Sequence, residues 1–262
     1  MAREKSGSRG VKVPPGGVAV PPPHIDLRDS PELFLRCEGC GKGARYRVGV
    51  VTIDPTLPDD APGDARVGFT GYFRCVACDA PGPWQITAHA RGHIGALVED
   101  FRQGTKGLPL AFLQMGLHDG TVIRTTAQGV DHMLGLLADA PDDPDLTDRL
   151  GRLYVAGGRP ELALPHLEEA ADREPPFLPA WVSLAEALED LGKLDEAGQR
   201  LRDLLKLAPD QTTWPRDDLR GLVQTAFQRL IALHERTGGR VSLTAPARDD
   251  TGDDDTSGAD RD

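Results

Sequence analysis

Four cysteines are the residues of this sequence best suited to chemistry. They stand as two pairs, Cys37 and Cys40 in CEGCG and Cys75 and Cys78 in CVACD. The C-x-x-C spacing lets two thiolates grip one ion from a tight turn. Gly41 follows the first pair, where a positive φ helps to close that turn. Two such turns supply four sulfurs, a closed tetrahedral set for a structural Zn2+ at Zn–S distances of about 2.3 Å. Two disulfides would instead need an oxidising compartment. A thioredoxin-like redox pair would need a helix beginning at the C-x-x-C, where the helix dipole lowers a thiol pKa, and no helical pattern follows either pair. His89 and His93 lie nearby at helical spacing and are the further candidate ligands, but four cysteines already complete the site.

No other residue pattern announces a reaction. P-loop, G-x-G-x-x-G, G-x-S-x-G and H-E-x-x-H motifs are absent, and His118, His132, His166 and His234 are scattered singly. The chain is therefore read as non-enzymatic. Its net charge of −11 disfavours non-specific attraction to nucleic acid or to an anionic membrane. No apolar run reaches bilayer length, and the opening MAREKSGSRGVKVPPGG has positive charge without the apolar stretch of a secretory signal. A cytoplasmic protein with reduced thiols is expected. The lack of Asn and the excess of Arg over Lys suit a GC-rich bacterial genome.

The elements that must position the cysteines are strand-like. ARYRVGVVTI follows the first pair, VGFTGYFRC leads into the second, and PWQITAHA comes after it. Over residues 33–90 this arrangement resembles the zinc-ribbon family, which implies a β-rich module closed by one Zn2+. The 34 residues between the pairs exceed the usual ribbon spacing of ~15–20. Residues 54–65, DPTLPDDAPGDA, read as an acidic loop inserted at a hairpin tip. Outside that loop, Arg36, Lys42, Arg45, Arg47, Arg66 and Arg74 outnumber Glu32, Glu38 and Asp79. Together with Tyr46, Phe73 and Trp84 they offer an alternative reading, a DNA- or RNA-contacting ribbon. A hairpin centred on Asp119-Gly120 follows, as a two-residue turn of positive φ.

From Gln128 onward the apolar period becomes helical, and a 34-residue repeat emerges. Trp181, Leu184, Ala185, Leu188, Ala197, Leu201, Leu204 and Pro209 recur one period earlier as Leu150, Gly151, Tyr154, Ala163, Leu167, Ala170 and Pro175, with only Thr147 failing to match Trp181. The pattern resembles the tetratricopeptide repeat. It implies paired helices with small residues where they cross and a concave groove lined by the first helix of each pair. By register that groove receives Asp148 and Arg152, then Val182, Glu186, Glu189 and Asp190. Three carboxylates around one apolar residue suit a protein partner that offers a basic peptide segment beside a hydrophobic anchor.

The expected fold is therefore α+β and multi-domain. Residues 1–30 form a disordered tail, 31–90 a zinc-ribbon-like module, and 91–127 a connecting helix and hairpin. A tetratricopeptide-like helical domain spans 128–236, with repeats at 144–177 and 178–211 and capping helices at 128–139 and 216–236. An acidic disordered tail occupies 237–262. The function expected is that of a zinc-containing adaptor. The alternatives are a nucleic-acid-associated regulator and an enzyme whose pocket, shaped by residues 84–127, gathers His89, His93 and His118.

Overall fold

The structure, a computed structural model, describes residues 30–58, 63–173, 176–211 and 214–244. Of the tails expected at 1–30 and 237–262, residues 1–29 and 245–262 lie outside the described residues. The N-terminal half holds three small sheets. The first has the order β2 (Gly43–Arg47), β1 (Glu32–Cys37), β5 (Trp84–Ile86), all antiparallel. The second has the order β4 (Val67–Phe69), β3 (Val51–Ile53), β6 (Leu110–Phe112), with β6 parallel to β3. Strict alternation along β1 buries Leu33, Leu35 and Cys37 and leaves Glu32 and Arg36 outside.

The strand-like runs of the sequence are more broken than their composition suggests. ARYRVGVVTI divides into β2 and β3, which serve different sheets, because Gly49 takes a φ of +71° between them. A Cβ on Gly49 would lie 2.4 Å from the Gly71 nitrogen, so the bare backbone is needed for close approach as well as for conformation. PWQITAHA yields only β5 before Thr87 caps α2 (Ala88–Arg102) by accepting from the Ala90 amide. A single turn, α1 (Gly63–Arg66), precedes β4.

The hairpin β7 (Met115–Gly116) and β8 (Val122–Ile123) forms, but not with a two-residue turn. The Gly120 amide donates to the Leu117 carbonyl at 3.1 Å, so His118 and Asp119 occupy the corner and only Gly120 has positive φ. Asp119 instead caps the loop, accepting from the Thr121 amide and meeting His132 Nε2 at 2.6 Å.

The helical half runs α3 (Thr126–Asp139), α4 (Pro144–Ala156), α5 (Pro160–Ala171), α6 (Leu178–Asp190), α7 (Leu194–Leu207) and α8 (Arg216–Arg236). Thr125 and Gln128 form a reciprocal capping box on α3. Asp143 caps α4, whose first residue is Pro144. The 34-residue period is visible in backbone detail. Arg159 N donates to Tyr154 O at 2.9 Å behind left-handed Gly158, and Lys193 N donates to Leu188 O at 2.8 Å behind left-handed Gly192. At the crossing of α4 and α5 a Cβ on Gly151 would meet Leu167 at 2.5 Å, and Ala163, Ala185 and Ala197 are fully buried.

The C-terminal boundary differs from expectation. The acidic tail was expected to begin at 237, yet the chain turns back at Gly238-Gly239 and buries Val241 to 2% exposure beside Gly198. His234 Nδ1 lies 2.9 Å from the Val241 carbonyl. One apolar residue at the right distance from the turn suffices to dock an otherwise polar segment.

Candidate functional site

The two cysteine turns are copies of each other. Gly41 N donates to Cys37 O and Asp79 N to Cys75 O, both at 2.8 Å. Cys37 N donates to Lys42 O and Cys75 N to Ala80 O, both at 2.9 Å. Each turn ends on a left-handed residue, Gly41 at +71° and Asp79 at +59°. Asp79 escaped the sequence reading because its residue type only tolerates that conformation. Arg74 helps to hold it, donating from Nε to the Asp79 carbonyl at 2.8 Å.

Cys37 ends β1, and the chain that leaves the second turn returns to it as β5, pairing Trp84 with Cys37, so the two turns come face to face. All four sulfurs lie within 4.8 Å of one another. Cys37 and Cys78 are 3.7 Å apart, and Cys40 and Cys75 are 3.6 Å apart. A regular tetrahedron with Zn–S bonds of about 2.3 Å has edges of about 3.8 Å, so the spacing is that of a metal cage and far too long for disulfides. The Ala77 amide leads the groups that hold Cys75 well below the ordinary thiol value, at about 6. Cys78 is pushed up to about 12, because the Cys40 and Cys75 sulfurs outweigh the lowering effect of the Ala80 amide. Sulfurs this close resist joint ionisation unless a cation sits among them.

His89 and His93 lie exposed on α2 and are not among the clustered ligands. Tyr46, Phe73 and Trp84, expected to accompany a basic surface, are instead the core beneath the sulfurs. They are 5%, 9% and 7% exposed, and their ring centroids lie 4.8–5.2 Å apart. Alternation explains the difference, since Tyr46 and Trp84 point to the same side as Leu33 and Cys37.

The arm between β4 and the second turn also reaches the helices. Tyr72 donates its amide to Gly157 O at 2.9 Å, meets Tyr154 edge-on at 5.1 Å and lies under the Arg159 guanidinium. Arg74 Nη1 pairs with Asp131 of α3 at 2.6 Å.

In the helical half, α4 carries Asp148 and Arg152, and α6 carries Val182, Glu186, Glu189 and Asp190. Arg152 and Asp190 are exposed. Asp148 is buried to 2% exposure, and its carboxyl is pushed up, first by burial, with Ser183 and Arg152 opposing. Glu186 and Glu189 are not free to meet a partner's cations. Arg229 of α8 reaches Glu186 at 3.3 Å and Glu189 at 2.9 Å, and Arg236 reaches Glu189 at 2.9 Å. The sequence showed α8 as an apolar stripe, and its two arginines on α6 were missed because they lie outside that stripe.

Residues 154–214 match the family model described as tetratricopeptide repeat. This segment is similar to the tetratricopeptide repeat family. It spans the end of α4 through α7, so the second helical pair lies wholly within it. Part of the chain is also similar to solved structures of MamA. MamA AMB-1 is 26% identical over 44% of this chain and 62% of that one, with a TM-score of 0.34. A MamA mutant is 27% identical over 43% of this chain and 55% of that one, with a TM-score of 0.33. This chain thus spans less than two thirds of either structure. No curated protein matches. Among the described residues no helix is long and apolar enough to cross a membrane.

Proposed function

We propose that this protein is a non-enzymatic cytoplasmic adaptor. A structural Zn2+ on Cys37, Cys40, Cys75 and Cys78 holds the N-terminal module, and the tetratricopeptide helices bind another protein. The observation that carries this reading is the backbone-level repetition of α4–α5 in α6–α7, of which the end of α4 through α7 matches a repeat family. Such stacks present extended concave surfaces and hold no reaction of their own. Zn2+ is favoured over harder ions by four sulfur donors at tetrahedral spacing.

The partner surface is the groove in which Arg152, Val182 and Asp190 are accessible, with Glu186 and Glu189 held by α8 and Asp148 buried beneath the groove. The α8 helix supports this reading by displaying what the carboxylates accept, guanidinium groups flanking buried Leu230 and Leu233. A partner with a basic segment and an apolar anchor either displaces Arg229 and Arg236 or docks beside them on Arg152 and Val182. Affinity purification with mass spectrometry identifies the partner, and Arg152→Glu should then weaken its binding with the fold intact. Binding that is indifferent to Arg152→Glu, Val182→Asp and Asp190→Lys would refute the groove. Elemental analysis of protein purified without chelator should find one zinc per chain; a metal-free, fully folded protein would refute the metal site.

A further inference from the structure

With Tyr46, Phe73 and Trp84 assigned to the core, the basic residues of the N-terminal module fall into two groups. Arg74 is engaged by Asp131 and Asp79, and Arg66 is engaged with the Asp54 carbonyl. Arg36, Lys42, Arg45 and Arg47 are all exposed, and among the described residues none has a side-chain hydrogen bond or ion pair. Elsewhere Arg91 pairs with Asp64, Arg149 with Asp145 and Arg173 with Asp142, whereas these four lie close together on one side of the module.

Three of these cations share the outer face of the first sheet. Arg45 stands opposite Phe34, Arg47 opposite Glu32, and Arg36 between Gly43 and Gln85. Phe34, in the central strand, remains only half-buried. Its ring lies on the bare backbone of Gly43, where a Cβ would approach its Cζ to 2.6 Å. The sheet thus presents an aromatic ring at its centre with guanidinium groups on both sides, and Lys42 at the adjoining turn. Glu32 and Glu38 are the carboxylates nearby in the chain.

We propose that this face binds single-stranded nucleic acid, with a base stacked on Phe34 and phosphates on Arg36, Arg45 and Arg47. Arg45 and Arg47, two residues apart on one strand, are spaced by about 6.8 Å and track a backbone. A ring lying on a flat sheet takes an unstacked base, which a duplex does not offer. The Gln85 amide, exposed beside Arg36, is placed to hydrogen-bond a base edge. The charge of −11 on the whole chain repels a polyanion elsewhere and confines it to this face.

The test is fluorescence anisotropy of the full-length, zinc-loaded protein with short labelled oligo-dT and oligo-U and a matching duplex, at about 50 mM salt and above. Wild type should bind the single strands in preference to the duplex, and the tighter of the two probes names the polymer. Arg45→Ala with Arg47→Ala should weaken binding at least tenfold and lower the slope of log affinity against log salt by about 1.4. Phe34→Leu should weaken binding by about tenfold and leave the slope unchanged. All three side chains are on the solvent side of the sheet, and zinc content with thermal melting verifies that the variants fold. Absence of wild-type binding overturns the proposal. So does duplex binding as tight as single-strand binding with Phe34→Leu without effect, which marks a plain polyanion contact. None of these variants touches the helices, so the adaptor reading stands or falls separately.

Discussion

If the four sulfurs hold Zn2+ as proposed, its release should be felt well beyond them, because the arm that carries Cys75 is fastened to the helices. Arg74 and Asp131 make a 2.6 Å ion pair with side chains 22% and 40% exposed; solvent screening limits it to about 0.5–1 kcal/mol. The edge-on pair of Tyr72 and Tyr154 contributes about 0.5–1.5 kcal/mol, and Arg159 over Tyr72 about 0.5–1 kcal/mol. The Tyr72 amide on Gly157 O adds about 1 kcal/mol. Together these contacts are worth about 3 kcal/mol, or some two powers of ten in an opening equilibrium. Hydrogen exchange by mass spectrometry, on zinc-loaded protein and after chelation, reads that equilibrium. With the metal gone, β1, β2 and β5 should lose protection, and α3 and the last turn of α4 should lose up to about a hundredfold. The α6 and α7 helices should change little. Cys75→Ser should reproduce the chelated pattern. If the strands lose protection while α3 and α4 keep theirs, the contacts of Tyr72 and Arg74 do not transmit metal occupancy and the reasoning fails.

Four further outcomes are expected. Trp181→Ala should cost about 3 kcal/mol in thermal or urea unfolding, at the lower end for a tryptophan because the ring is only half-buried, though its Nε1 also loses Ala171 O. Glu189→Lys should set a third cation against Arg229 and Arg236 and loosen α8, with a loss of about 2 kcal/mol and exchange protection falling there first. Val241→Ala should cost about 1–2 kcal/mol in the same melts, whereas removal of residues 245–262 should leave the midpoint unchanged. Asp148 holds its proton to higher pH folded than unfolded, so it removes stability as pH rises from its unfolded value of about 3.9 through its raised folded value. Asp148→Asn should therefore be the more stable protein at pH 7 and lose that advantage toward pH 4; equal pH profiles in paired melts would contradict this.

Where the sequence was legible, a repeated or short-range physical rule was at work. The C-x-x-C turns follow from a spacing that closes within five residues, and the helical pairs follow from a period that repeats positions such as Gly158 and Gly192 one for one. The strands were less legible, because β3, β4 and β6 are three residues each and are defined by partners far away in the chain. The parallel pairing of β3 with β6 brings Val51 to Leu110, and nothing local announces it. Aromatic residues misled for a related reason. Composition places Tyr46, Phe73 and Trp84 among basic neighbours, and only register shows which side of a strand each one takes. Phe34, one residue from buried Leu33 and Leu35, would have been found by reading the alternation of ELFLRC strictly.

Glu186 and Glu189 show why a charge pattern on a repeat surface does not by itself identify a binding site. Their spacing places both on one helix face, as the register implied, but a stack of helical pairs must end, and the helix that ends it needs contacts of the same kind that a partner would use. The α8 helix buries Ala226, Leu230 and Leu233 and supplies two arginines to Glu189, a residue only 12% exposed at its side chain. A carboxylate so enclosed is costly without a cation, so the chain has to provide one whenever no partner does. A ligand for these carboxylates must then exceed the contact it replaces, whereas one that reads Arg152, Val182 and Asp190 meets no such competitor among the described residues. Tight binding that survives Glu186→Gln and fails with Arg152→Glu would place the partner on the open part of the groove, with α8 as a fixed cap.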